Sequence, residues 1–224
     1  PNGAPVFRPA ISGDGRVVAY ESIASNQFPQ VAKKIVARLV DQQRNVLVSR
    51  DNAGNPATPF LFQDSPSVSG DGSRIAFRSN ATNLPGAGDG LPYFPQAYVY
   101  DLVTARVTLA SRTPAGRGAQ YGASIESCEG PGLPFPCGSI LNLTPSISAD
   151  GRFIAFHSGG DDLIANDANG PGYDVYVHDL GSVSTGLPVP FAVPGASTRV
   201  LVLLGLLVFG AGLAYPVRAI VGRR

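Results

Sequence analysis

Apolar and polar residues alternate with a period of two through three closely similar stretches: PAISGDGRVVAYES at residues 9–22, PSVSGDGSRIAFRS at 66–79 and PSISADGRFIAFHS at 145–158. A period of two puts successive side chains on opposite faces of an extended chain, so these are strands and not helices. Each copy runs from a proline through a short alternating segment, a Gly/Ala-Asp-Gly turn and a second alternating segment to a serine, which predicts a β-hairpin. Asp-Gly supplies the turn residues a tight hairpin needs, and the aspartate side chain can cap nearby backbone N–H groups. Asp14, Gly15, Asp71, Gly72, Asp150 and Gly151 are therefore expected to be structural turn residues.

A second alternating element follows: AYVYDLVTARVTLAS at residues 97–111, DVYVHDL at 174–180, and the counterpart IVARLVDQQRNVLVS at 35–49. In the first of these Tyr98, Tyr100 and Leu102 fall on one face and Val99 and Asp101 on the other. Two strands from each element make a four-stranded antiparallel unit, the blade of a propeller.

The residues carrying this pattern resemble the WD-like β-propeller repeat of the TolB type, Pro-x-hydrophobic-Ser-x-Asp-Gly-(Lys/Arg)-x-hydrophobic-Ala-Phe-x-Ser followed by a variable-aspartate strand. The matches are Pro9, Ser12, Asp14, Gly15, Arg16, Ala19 and Ser22; Pro66, Ser69, Asp71, Gly72, Ala76, Phe77 and Ser79; and Pro145, Ser148, Asp150, Gly151, Arg152, Ala155, Phe156 and Ser158. Tyr20 takes the aromatic place in the first copy, and Ser73 replaces the basic residue in the second. The resemblance implies an all-β fold of four-stranded blades over residues 1–181, with copies starting near 9, 66 and 145.

A blade takes about 40 to 45 residues and a closed propeller typically has four to eight blades. The copies start 57 and 79 residues apart, so loops absorb the excess and only about three blades are present. The expectation is an incomplete propeller, with further blades and an export signal upstream. Charge is nearly balanced, 17 basic against 16 acidic residues. No basic patch points to nucleic acid.

Residues 200–217, VLVLLGLLVFGAGLAYPV, carry no charge and lie between Arg199 and Arg218. A helix of that length spans about 27 Å, close to the roughly 30 Å hydrocarbon core of a bilayer. A buried core helix is the alternative, but a propeller has no place for one. Residues 199–224 are therefore expected to be a transmembrane helix with terminal arginines, and the excess of arginine after the span puts the C-terminus in the cytoplasm and the propeller outside. Residues 182–198, rich in Pro, Gly and Ser, form the linker. The order Val193, Pro194, linker, apolar span and terminal arginines resembles the bacterial sorting tails of the PEP-CTERM and IPTL-CTERM kind, although no Glu-Pro follows and no Trp occurs. A retained anchor is the alternative to processing.

Cys128 and Cys137 are the only cysteines. Export makes a disulfide between them the expectation, since such bonds persist in oxidising compartments. The loop holding Asp161, Asp162, Asp167, Asn169 and Asp174 is rich in oxygen ligands and is the one calcium candidate, but its spacing departs from the EF-hand and surface turns use the same residues. The reading is no metal and no cofactor. No nucleophile elbow, His-Glu-x-x-His or Walker loop is present. His157 and His178 lie in alternating segments and are expected to be surface or channel-lining strand residues rather than general bases.

The sequence thus predicts an exported, membrane-anchored or surface-sorted propeller, non-catalytic, binding a protein, peptide or glycan through residues 51–65, 80–96 and 113–143. The alternative is the propeller part of an envelope hydrolase or lyase whose catalytic residues lie upstream.

Overall fold

The computed structural model describes residues 4–30, 32–58, 63–87, 95–119, 144–160, 162–165, 174–181 and 217–220, the last as backbone. Three four-stranded sheets make it up, each joined in chain order. Blade 1 holds β1 (Val6–Ile11), β2 (Val17–Ser22), β3 (Lys34–Leu39) and β4 (Arg44–Leu47). Blade 2 holds β5 (Gln63–Val68), β6 (Arg74–Ser79), β7 (Gln96–Asp101) and β8 (Arg106–Leu109). Blade 3 holds β9 (Ser146–Ile147), β10 (Phe153–Ser158), β11 (Asp174–Asp179) and β12 (Val217–Ile220).

Blades 1 and 2 are antiparallel throughout and share a register, with Ala19 opposite Ala37 and Ala76 opposite Val99. Both first strands start three residues before the motif proline and bulge there, and the bulge holds Arg8 and Ser65 at φ of 46° and 55°. The 51–65 loop of the sequence reading therefore ends inside a strand.

The three hairpin turns repeat one set of bonds. Gly15, Gly72 and Gly151 have φ of 73°, 71° and 69°, the left-handed region that glycine enters without strain. The hydroxyls of Ser12, Ser69 and Ser148 donate to Oδ1 of Asp14, Asp71 and Asp150, and each also accepts the backbone N–H five residues on. The same Oδ1 atoms accept the N–H of Arg16, Ser73 and Arg152 at 2.9–3.0 Å. The closing serines Ser22, Ser79 and Ser158 each accept the N–H two residues on. The serine hydroxyls of the motif and one oxygen of each aspartate thus all bond the backbone.

The blades stack front to back. The small back face of blade 1, Ala19 and Ala37, receives Ile75, Phe77 and Tyr98 of blade 2 in one buried cluster. The back face of blade 2, Ala76, Ala97 and Val99, receives Ile154, Phe156 and Tyr176 of blade 3 in another. Phe77 stacks on Tyr98 at 5.8 Å and Phe156 on Tyr176 at 5.9 Å, so small faces large at both seams. The hairpin turns also bond across the seams: Gly13 N–H donates to Gly70 O and Asp71 N–H to Ala149 O.

Blade 3 departs from this plan at its outer edge. Its fourth strand comes from the C-terminal tail and runs parallel to β11, with Val175 opposite Val217 and His178 opposite Ile220. Val217, the last residue of the expected transmembrane helix, is thus in a strand, because the unpaired edge of β11 offers backbone partners to any extended segment. Residues 200–216 lie outside the described residues, and among those described no helix is long and apolar enough to cross a membrane.

Candidate functional site

Antiparallel up-and-down blades sort their connections between two ends. The hairpin turns and the β3–β4 and β7–β8 turns, all tight, lie at one end. The β2–β3 and β6–β7 connections and the crossings from blade to blade lie at the other, where residues 51–65, 80–96 and 113–143 leave the sheets. Loops carried on a rigid scaffold are where binding residues concentrate.

At this loop end β1, β2, β5 and β6, with Lys33 just before β3, bring five charged side chains together. Arg8 Nη1 donates to Glu21 Oε1 at 2.9 Å, and Lys33 Nζ lies 3.6 Å from Glu21 Oε2. Glu21 Oε1 also accepts the Ser65 N–H at 3.0 Å, which carries the cluster across the first seam. Arg78 grips Asp64 with two parallel bonds, Nε to Oδ1 at 2.8 Å and Nη2 to Oδ2 at 3.0 Å, and Arg8 Nη1 stands 3.8 Å from Asp64 Oδ2. Burial pushes the Asp64 carboxyl up, but the hydrogen bonds from Arg78 and the charges of Arg78, Lys33 and Arg8 outweigh it and hold the group below its usual value. Glu21, Asp64 and Arg78 are buried, whereas Arg8 and Lys33 reach solvent.

Two carboxylates facing three cations leave one positive charge in excess within the cluster. Arg78 Nη1 is buried with no hydrogen-bond partner. The residue before each closing serine is Glu21, Arg78 and His157, so one repeat position changes its charge from blade to blade while the scaffold around it stays the same. His157 Nδ1 is also buried without a partner, and burial lowers its pKa. A carboxylate already held by a bidentate arginine is poorly placed to take a proton from a substrate.

The sequence reading did not single out this cluster, because Arg8 comes from blade 1 and Asp64 and Arg78 from two strands of blade 2, and each looks like the polar half of an alternating strand. It also missed a second repeat, which was there to be found. SRDNAGNPA at residues 49–57 and SRTPAGRGA at 111–119 form the same loop, with Gly54 and Gly116 at φ of 95° and 82° and matching bridges from Arg50 to Pro56 and from Arg112 to Gly118. Residues 51–57 and 113–119, which open the 51–65 and 113–143 loops, are therefore repeated scaffold, and the variable parts begin after Ala57 and Ala119.

The remaining sequence candidates are scattered. The six turn residues lie at the opposite end of the blades from the cluster. Asp174 is buried at the start of β11 and Asp162 is half-buried, while Asp161, Asp167 and Asn169 lie outside the described residues. No group of three or more His, Cys, Asp or Glu among the described residues could hold a metal ion. Cys128 and Cys137 also lie outside the described residues. His178 packs in the second seam, where burial, and then the Arg112 charge, lower its pKa.

No family model matches the chain. No curated protein matches it. Its neighbours among solved structures are β-propeller proteins. The propeller domain of the trilobed protease from Pyrococcus furiosus is 14% identical with a TM-score of 0.41, the match covering 79% of this chain and 39% of that one. TolB from Acinetobacter baumannii is 20% identical with a TM-score of 0.32, covering 79% and 41%. Oligogalacturonate lyase from Vibrio parahaemolyticus is 15% identical with a TM-score of 0.42, covering 81% and 37%. The chain spans about two fifths of the length of these structures. The fold itself is all-β, three stacked four-stranded sheets, and its neighbours among solved structures are propeller proteins, TolB among them.

Proposed function

We propose that this chain is a non-catalytic binding or scaffolding module that recognises a protein, peptide or glycan through its loop end. The observation carrying this reading is the gathering of the long connections at one end, around a buried charge cluster whose carboxylates arginine already occupies. We further propose that residues 1–181 act outside the cytoplasmic membrane, joined by the 182–198 linker to a 199–224 tail that either anchors them or serves as a sorting signal. With the tail across a bilayer and the C-terminus in the cytoplasm, Val217–Ile220 would leave β11 and free its edge.

Binding is tested by placing a photocrosslinking residue at Asn26 or Thr82, both at the loop end, or at Gln42 at the turn end, and irradiating native cells. Discrete adducts from the first two positions and none from the third are expected; adducts from Gln42 alone would defeat the reading. The tail is tested by peptide masses from the native envelope. Peptides C-terminal to Pro194 in the membrane fraction indicate a retained anchor, and a new C-terminus within 193–198 indicates processing. A soluble protein with an intact tail contradicts both.

A further inference from the structure

The loop-end corner of the first seam is closed by a carboxylate, and the same corner of the second seam holds an arginine. Glu21 precedes the closing serine of blade 1, and its Oε1 accepts the N–H of Ser65, at the bulge of blade 2, at 3.0 Å. Arg78 takes the Glu21 place in blade 2, and Thr144, just before the motif proline of blade 3, takes the Ser65 place. An arginine side chain has no acceptor to offer a backbone N–H. The second seam therefore receives no carboxylate from this repeat position, although the Thr144 that would bond one is exposed.

Arg78 also has an edge to spare. Its Nε and Nη2 both go to Asp64, which uses one edge of the guanidinium and turns Nη1 away from that carboxylate. Arg78 is 4% exposed, and its Nη1 is buried with no hydrogen-bond partner. A buried donor without an acceptor is costly, and an acceptor brought from outside removes that cost. Charge favours an anion, since within the cluster Arg8, Lys33 and Arg78 face only Glu21 and Asp64. We infer that this corner of the second seam binds the carboxylate of an Asp or Glu side chain on a partner peptide, one oxygen on Arg78 Nη1 and the other on the Thr144 N–H. Glu21 makes the corresponding bond from within the chain at the first seam, so the fitting occupant is a carboxylic side chain on a peptide rather than a sugar acid. The inference rests on the proposed binding at the loop end and gives the partner its chemistry.

The test is a titration of the full, isotopically labelled chain in a mild detergent with the end-blocked peptide Ala-Ala-Glu-Ala-Ala, read by NMR at the Arg78 Nε–H and Thr144 N–H signals. Millimolar peptide is expected to shift both signals, and its Gln counterpart neither. Arg78→Lys keeps a cation for Asp64 but has no second edge, and should weaken binding about tenfold with an unchanged circular dichroism spectrum. Thr144→Pro removes the other donor at an exposed position, clear of the buried cluster, and should weaken binding as well. Equal shifts from the Gln peptide, or none from either peptide, overturn the inference, and so does digalacturonate moving both signals when the Glu peptide does not. Crosslinks at Asn26 or Thr82 alongside a silent titration would leave the loop end as a binding surface and remove this corner alone.

Discussion

Between blades 1 and 2 the seam is locked by Arg50 and Asn52; between blades 2 and 3 the same loop offers Arg112 and Pro114. Arg50 Nη2 donates to the Tyr100 hydroxyl at 3.0 Å and to Ala105 O at 3.1 Å, with its guanidinium 5.4 Å from the Tyr100 ring centre. Asn52 bonds both the N–H and the C=O of Val107. In the second seam proline cannot repeat the Asn52 bonds, and the place of Tyr100 belongs to His178. The lock there is Arg74, whose Nη1 donates to Gly151 O at 2.9 Å and Gly181 O at 3.1 Å while Nε holds Asp101 at 3.2 Å. Apolar packing is common to both seams and the polar locks are not, so the two seams should answer differently to mutation and to pH.

Replacing the turn glycines should give the largest effect and the sharpest contrast. Gly15 and Gly72 share a positive φ, but a Cβ at Gly15 meets nothing within 4 Å, whereas one at Gly72 lies 2.9 Å from Val17 Cγ2 across the first seam. Gly72→Val adds overpacking to backbone strain and should cost about 3–5 kcal/mol, against about 1–3 for Gly15→Val, which has strain alone. Urea unfolding measures both. Equal losses would mean that the first seam is not packed as described.

Next in size are the locks. Arg74 is buried, and Arg74→Ala strands two backbone acceptors and Asp101, a loss of about 2–3 kcal/mol; Arg50→Ala, with an exposed loop around it, should cost about 1. The reverse order in thermal melts would count against the second seam as drawn.

Acid should loosen the second seam first. The pKa of His178 is depressed by burial and then by Arg112, with Asp179 and the Ala110 backbone opposing. The unfolded chain therefore takes up the proton more readily. Stability is fully present above the unfolded value near 6.5 and falls as pH drops from there toward the depressed folded value. His157 is depressed in the same direction, so His178→Tyr should reduce the loss between pH 7.5 and 5 without abolishing it. The Asp179 carboxyl, held at about 2 by Arg152, loses its contribution only as pH falls from 3.8 toward that value, a separate window. An unchanged pH slope in His178→Tyr would remove His178 from the account.

The smallest effect expected is that of the turn serines. Ser69→Ala, in the buried middle turn, should cost about 1 kcal/mol, and Ser148→Ala, which is half-buried at the open end, less.

Much of this was legible because the repeat writes its turns in residues with one physical purpose. Asp-Gly and the flanking serines specify a positive φ and its caps wherever they occur, so the hairpins follow from local chemistry. The bulges at Arg8 and Ser65 were not legible, because neither residue is glycine and each is held by the strand beside it. β12 was not legible either: the edge of β11 selects Val217–Ile220, which lie in and beside an apolar run with no strand signature of their own. The loop-end cluster depends on which blade lies next to which, and alternation along one strand carries no record of that.

Amide hydrogen exchange at Gly13 and Asp71 tests the stacking most directly. Both residues are exposed at the tips of turns, and the bonds their N–H groups make are to carbonyls of the next blade, Gly70 O at 2.9 Å and Ala149 O at 3.1 Å. If the blades stack front to back as described, both amides exchange far more slowly than Asp41, in the tight β3–β4 turn of the same end. Exchange at Gly13 and Asp71 as fast as at Asp41 would mean that the seams are not formed, and the single propeller module would fall with them.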